Sequence, residues 1–158
     1  MRRIAVCTLL LAITFSAKAE TVSECQARLK DSLECYITQA KFQLKLCSMK
    51  IELALISNAH DFVLAGGAPL AGLINNERDF ACISEAKRDV EPFFSAANRA
   101  LAQRKSAQAL LKDAQAYWLS SVTALLPNSD ETKFGYKQRL QQREQGFDEK
   151  ANRVLLEK

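Results

Sequence analysis

The sequence predicts an all-α protein, an antiparallel helical bundle of about four helices with a Gly/Pro-containing apolar loop after the first helix. Three observations carry this expectation. Apolar residues recur at steps of three and four through most of the chain, the spacing that lines one face of a 3.6-residue helix. Alanine, leucine, glutamine and lysine are abundant while 158 residues hold only five glycines and three prolines, a composition that favours helix. No stretch alternates apolar and polar residues with period two for long enough to build a sheet. Mostly short turns then place successive helices side by side and antiparallel.

The ends of the chain come first, because they change the charge. It opens MRRIAVCTLLLAITFSAKAE. Arg2 and Arg3 precede an apolar core from Ile4 to Phe15, and Ala17 and Ala19 supply the small residues that a processing enzyme needs before Glu20. The core is too short to persist as a membrane span. Residues 1–19 therefore read as a secretory signal peptide and 20–158 as a single helical domain. Cys7 lies inside the apolar core with no small-residue pair before it, so a lipid anchor is not expected. The full chain has 22 basic and 18 acidic residues; without Arg2, Arg3 and Lys18 the count is 19 against 18, a net of +1. The basic balance belongs mostly to the leader. A near-neutral remainder speaks against nucleic acid as a partner, since polyanion binding needs concentrated positive charge.

In the first helical segment, residues 23–56, the stripe is Leu29, Leu33, Tyr36, Ala40, Leu44, Cys47, Ile51 and Leu55. Two start signals compete there: Ser23 with Gln26, and Asp31 with Glu34. The second leaves residues 20–30 free to fold back. Gly66, Gly67, Pro69 and Gly72 then stop any helix, and Asn75 or Asn76 caps the next. That second helix carries Phe80, Ile83, Val90, Phe94, Ala97 and Leu101, with a kink or fresh first turn expected at Glu91–Pro92. Arg104 falls in an apolar slot, which predicts a tight turn capped by Ser106. Leu110, Leu111, Ala114, Trp118, Val122 and Leu125 mark a third helix, ended by Pro127. Asn128 with Glu131 is expected to cap the fourth, whose narrow seam is Tyr136, Leu140, Phe147, Ala151 and Val154.

Four cysteines follow the leader: Cys25, Cys35, Cys47 and Cys82. An even number in an exported chain favours disulfides, and the wide gaps are unlike the close pairs of zinc sites. On one straight helix Cys25 and Cys35 would stand about 15 Å apart, beyond the roughly 7 Å that a disulfide tolerates between Cα atoms. Cys82, near the start of the second helix, faces the later part of the first in an antiparallel hairpin, and Cys47 is nearest in height. Cys47–Cys82 is therefore the expected pair. Cys25–Cys35 follows only if the arm turns at Lys30–Asp31, so that the stretch is two segments.

Signs of chemistry are sparse. His60 is the single histidine, beside Asp61, and without a second one it reads as a loop residue satisfying nearby backbone. No G-x-S-x-G, H-E-x-x-H, C-x-x-C, C-x-x-C-H or P-loop pattern occurs, so no catalytic residue, metal ligand or cofactor is assigned. The run 62–74, FVLAGGAPLAGLI, is apolar and uncharged but too short to span a bilayer. It either tucks over the bundle end or offers a contact for a partner or a lipid surface. Phe62, Leu64, Leu70 and Leu73 are its candidate contact residues. Arg139 and Arg143, four apart on the highly charged last helix, share a face and join them. Tyr117 and Trp118 read as core aromatics and not as a stacking platform, the alternative being an exposed Tyr117 beside a buried Trp118.

The functional expectation is an argument from export, a bundle fold and missing chemistry. It is a small exported protein, periplasmic or secreted, that binds another envelope or secreted protein as an adaptor, chaperone-like subunit, or inhibitor or immunity protein. Two alternatives stand beside it. One is a small-ligand carrier or enzyme with a pocket among Tyr36, Phe80, Phe94 and Trp118. The other is a membrane-surface protein using residues 62–74.

Overall fold

The computed structural model describes residues 20–64 and 77–158 apart from 129, with the side chains of 57–64 and 77–80 outside the description, and five helices form among the described residues. They are α1 (Val22–Leu29), α2 (Ser32–Leu64), α3 (Glu77–Ala100), α4 (Lys105–Thr123) and α5 (Lys133–Glu157). No strand occurs among the described residues. The all-α bundle is as the periodicity predicts; the extra helix is the arm before Asp31.

That arm is a helix of its own because the chain has two helix starts, one at Thr21 and one at Asp31. Thr21, two residues before the expected Ser23, caps α1: its hydroxyl accepts from the Glu24 amide while the Glu24 carboxylate accepts from the Thr21 amide at 2.7 Å. At the other end Lys30 takes a left-handed conformation, φ 59°, and its amide donates to the Gln26 carbonyl, closing α1. Asp31 then restarts the chain, its carboxylate accepting from the amides of Leu33 (2.7 Å) and Glu34 (3.2 Å). The reversal brings Cys25 and Cys35 together with Cα atoms 5.8 Å apart, in a disulfide. Without the left-handed residue the two cysteines could not meet.

Contacts between named residues give the topology. Tyr36 meets Phe94 and Cys47 is bonded to Cys82, so α2 and α3 are antiparallel. Lys87 reaches Thr123 and Gln108 reaches Asn98, which runs α4 against α3. Lys150 meets Asp113 and Arg143 meets Ser120, which runs α5 against α4. Tyr36 to Gln115 and Trp118 to Ala40 set α2 and α4 parallel across the diagonal. The result is an up-down-up-down bundle with α1 folded back on α2. Its core holds Tyr36, Ile51, Val90, Leu111, Trp118, Tyr136, Phe147 and Val154, all essentially inaccessible to solvent. Polar bonds lie inside it: the Tyr36 hydroxyl donates to Gln115 Oε1 (2.9 Å), the Trp118 indole to the Ala40 carbonyl (2.8 Å) and the Tyr136 hydroxyl to the Leu125 carbonyl (2.8 Å). Burial, with the Glu91 charge adding to it, holds the Tyr36 phenol protonated far above its ordinary range.

Several local expectations are corrected. The first long helix continues to Leu64, so Phe62 and Leu64 stand on helical backbone and not in a loop. No fresh first turn divides α3, which runs through Pro92. The missing amide there falls on an exposed face, Pro92 and Arg88 one turn back both being exposed. Arg104, with no side-chain cap, precedes α4, and Ser106 lies in its first turn. α4 stops at Thr123, before Leu125, which is nonetheless buried in the turn. Thr132, not Asn128, caps α5 by accepting from the Gly135 amide at 3.2 Å. Glu131 closes the Asn128 turn, accepting from its amide at 3.0 Å.

The turn before α5 is clamped by Arg139. Its guanidinium donates to both Glu131 carboxylate oxygens (2.8 and 2.5 Å), to the Leu126 carbonyl (3.0 Å) and to the Ala124 carbonyl, and it lies 5.4 Å from the Tyr136 ring centroid. The Arg139 hydrogen bond holds the Glu131 carboxyl below its ordinary value, outweighing the burial that would raise it. A depressed carboxylate contributes stability that is present above its unfolded-state pKa and is lost as pH falls through the lower folded-state value. Replacing Arg139 with methionine is expected to cost about 2–3 kcal/mol at neutral pH, because bidentate pairing and two carbonyl bonds are lost together. Thermal melts from neutral to acid pH check this: the gap between variant and parent should narrow below the usual carboxylate range. A gap that stays constant to low pH would show that the pair contributes nothing.

Candidate functional site

α2 is apolar on two opposite sides. Successive helical residues turn by about 100°, so residues in a four-three-four-three rhythm share one face. Leu33, Tyr36, Ala40, Leu44, Cys47, Ile51 and Leu55 recur at steps of three and four and face the core. Phe42, Leu46, Met49, Leu53 and Ile56 follow that rhythm on a face centred about half a turn away. Opposite the core means facing solvent. Phe42 is 54% exposed, Met49 51%, Leu53 62% and Ile56 60%, while Leu46 is half-buried between them. Together these side chains show on the order of 400 Å² of apolar surface, within the range where a contiguous patch marks an interaction site. The pattern was in the sequence but lay behind the stronger stripe; a second apolar phase on the same helix is the signal that finds it.

Charged side chains border this seam. On one edge Lys41 pairs with Asp148 (2.8 Å) and Lys45 with Glu144 (3.8 Å), both on α5. On the other Lys50 pairs with Glu85 of α3 at 3.5 Å. These pairs are half exposed and add little stability, but they hold lysine stems along the flanks of the seam. Glu52, half-buried, shares the Lys45 edge by helical phase. Beneath that edge, between α2 and α5, lies a groove of about 200 Å³ lined by Lys41, Leu44, Lys45, Glu144, Phe147 and Asp148. Its acids and bases are paired with one another, and the arrangement presents no nucleophile with an adjacent base.

The residues singled out in the sequence are dispersed. Cys25–Cys35 staples the α1–α2 reversal, and Cys47–Cys82, Cα atoms 5.5 Å apart, ties α2 to α3. Leu70 and Leu73 lie outside the described residues, as do the side chains of His60, Phe62 and Leu64. Arg139 is engaged in the clamp described above. Arg143 lies 5.6 Å from the Tyr117 ring centroid and donates to the Ser120 hydroxyl at 3.2 Å. Tyr36 and Trp118 are fully buried, and Phe94 packs edge-on against Tyr36 with centroids 5.8 Å apart, which makes them core. Phe80's side chain is outside the description. Among the described residues no cluster of three His, Cys, Asp or Glu is placed to hold a metal, and no helix is long and apolar enough to cross a membrane.

Tyr117 is half-buried, with the Lys150 ammonium 5.4 Å from its centroid on top of the Arg143 contact. Its ring lies directly over Gly146, where an added Cβ would come within 2.1 Å of the phenol oxygen. Glycine inside a helix ordinarily loses about 1 kcal/mol to alanine. Here Gly146→Ala should instead lower the melting temperature, a net loss of about 1 kcal/mol, because the ring must swing away from both cations. In a Tyr117→Ala background the same change should stabilise. Equal effects in both backgrounds would show that the ring does not dictate the glycine.

Comparison of the chain with protein-family models, with curated proteins and with solved structures finds no match.

Proposed function

We propose that this is a small exported helical protein, periplasmic or secreted, that acts by macromolecular binding in the manner of an adaptor, chaperone-like subunit or inhibitor, with the outer face of α2 as its contact surface. The observation that carries the reading is the second apolar face of α2, set opposite the core and bordered by charge. A helix that needed only to fold would carry polar residues there, since exposed leucine and phenylalanine add nothing to stability and promote association. The two disulfides fit an oxidising compartment.

Leu53→Lys tests it. Leu53 is 62% exposed, so the substitution should leave stability within about 0.5 kcal/mol. Capture of binding partners from an envelope extract by the immobilised protein should fall sharply. Undiminished capture by a folded variant would remove the face from the binding reading.

A second reading has its own support. Lys41, Lys45 and Lys50 flank an apolar helix face, the arrangement by which interfacial helices lie on anionic membranes. Flotation with vesicles of anionic lipid separates the two: a membrane-surface protein floats and Leu53→Lys does not.

A further inference from the structure

The outer seam of α2 has a heptad rhythm. Phe42, Met49 and Ile56 take d positions, Leu46 and Leu53 take a positions, and this 4-3 alternation is the one by which two helices wind together. The flanking positions are Lys45 and Glu52 on the g side and Gln43 and Lys50 on the e side.

We propose that this face closes on a second copy of the chain, the two α2 helices packing antiparallel about a two-fold axis that passes between Cys47 and Ser48. The inference rests on the reading of the face as a contact surface and names its occupant. Charge selects the arrangement. Antiparallel helices with this axis set Phe42 against the partner's Leu53 and Leu46 against the partner's Met49, each twice by symmetry. The same register brings Lys45 to the partner's Glu52, again twice, because g positions face each other when helices run oppositely. A parallel pair would instead set Lys45 against the partner's Lys50. Shifting the antiparallel axis by half a heptad, to Ile51, would set Glu52 and Lys50 each against its own copy. Both alternatives are repulsive. The face is therefore complementary to itself in one register.

Area agrees with the charge argument. Two seams with their flanking stems would remove on the order of 1,000 Å² from water, the lower bound for a specific interface. A lipid surface is the weaker occupant, since it would gain from an all-basic border, whereas Glu52 shares the edge of Lys41 and Lys45.

The test uses the leader-free, disulfide-bonded protein. Its mass is measured by sedimentation equilibrium from about 1 to 100 μM, the range in which a micromolar dimer assembles. A dimer is expected. Lys45→Glu and Glu52→Lys should each raise its dissociation constant about tenfold or more, and the double exchange should restore it, because the reversed pair is again complementary. Circular dichroism and thermal melts of each variant exclude loss of fold as the cause. A monomer at every concentration overturns the proposal, as does a dimer indifferent to the single changes or one that the double exchange leaves broken. A monomer whose Leu53→Lys variant loses envelope capture would end self-pairing and leave the contact-surface reading standing. A monomer with unaltered capture would end both.

Discussion

Trp118→Ala is expected to destabilise the protein by about 4 kcal/mol, the middle of the range for truncating a large buried aromatic. Trp118 has no accessible surface and stands where α4 meets α2, with its indole donating to the Ala40 carbonyl at 2.8 Å. Alanine leaves a cavity that helices stapled by Cys47–Cys82 cannot collapse into, and the buried carbonyl loses its second donor. Marginal stability makes this a large fraction of the total, and a fall in melting temperature on the order of 15 °C follows. Trp118→Phe separates the two contributions: it keeps most of the buried area, so it should cost roughly 1–2 kcal/mol. Denaturant titration of both variants measures the difference. An alanine variant within about 1 kcal/mol of the parent would mean that this residue does not organise the core.

Removing Cys47–Cys82 is expected to cost nearly as much. The bond joins residues 35 apart in sequence, and in the chain-entropy account opening such a loop lowers stability by about 4 kcal/mol. The Cys25–Cys35 bond spans only 10 residues and should contribute about 2.5–3 kcal/mol on the same account. Paired cysteine-to-alanine variants, compared by chemical denaturation, should therefore rank in that order. Non-reducing peptide mapping of the parent protein checks the premise: free thiols at all four positions would reject both bonds. The location of the longer bond also has a functional consequence. It anchors α2 to α3 within the stretch whose outer side carries the exposed seam, so the seam is presented on a helix that cannot pivot away from the bundle.

What could be read in advance was whatever local chemistry dictates. The seam of α5, Tyr136, Leu140, Phe147, Ala151 and Val154, is buried throughout, because a helix with one apolar stripe has one way to face a core. The fold-back at Lys30–Asp31 was legible because Asp31 is a strong cap and because two cysteines ten apart demand a reversal. Caps were legible only approximately. Thr21 and Thr132 displaced Ser23 and Asn128 because several capping residues lie within one turn, and packing of the following helix decides among them.

The role of Arg139 could not have been read from spacing. Its proximity to Arg143 suggests a shared outer surface, yet a long side chain can turn to whatever neighbour the fold supplies. Here that neighbour is a turn with carbonyls at Ala124 and Leu126 and a carboxylate at Glu131. The outer seam of α2 was obscured for the opposite reason. The stripe from Leu33 to Leu55 was read as the core face and is buried, but the second apolar phase lay behind it, and only the placement of α3, α4 and α5 shows that it is left open.

The amino-acid sequence by itself determined the helical class, the helix faces with a single apolar stripe and Cys47–Cys82 as the expected pair, and it offered the reversal near Asp31 as one of two possible starts. These are local properties, set by periodicity, capping and chain length. The tertiary structure alone decided that the second apolar face of α2 is left uncovered, where Arg139 turns and which ring lies against Gly146. Each of those depends on a neighbour distant in the chain, and no local preference specifies which neighbour arrives.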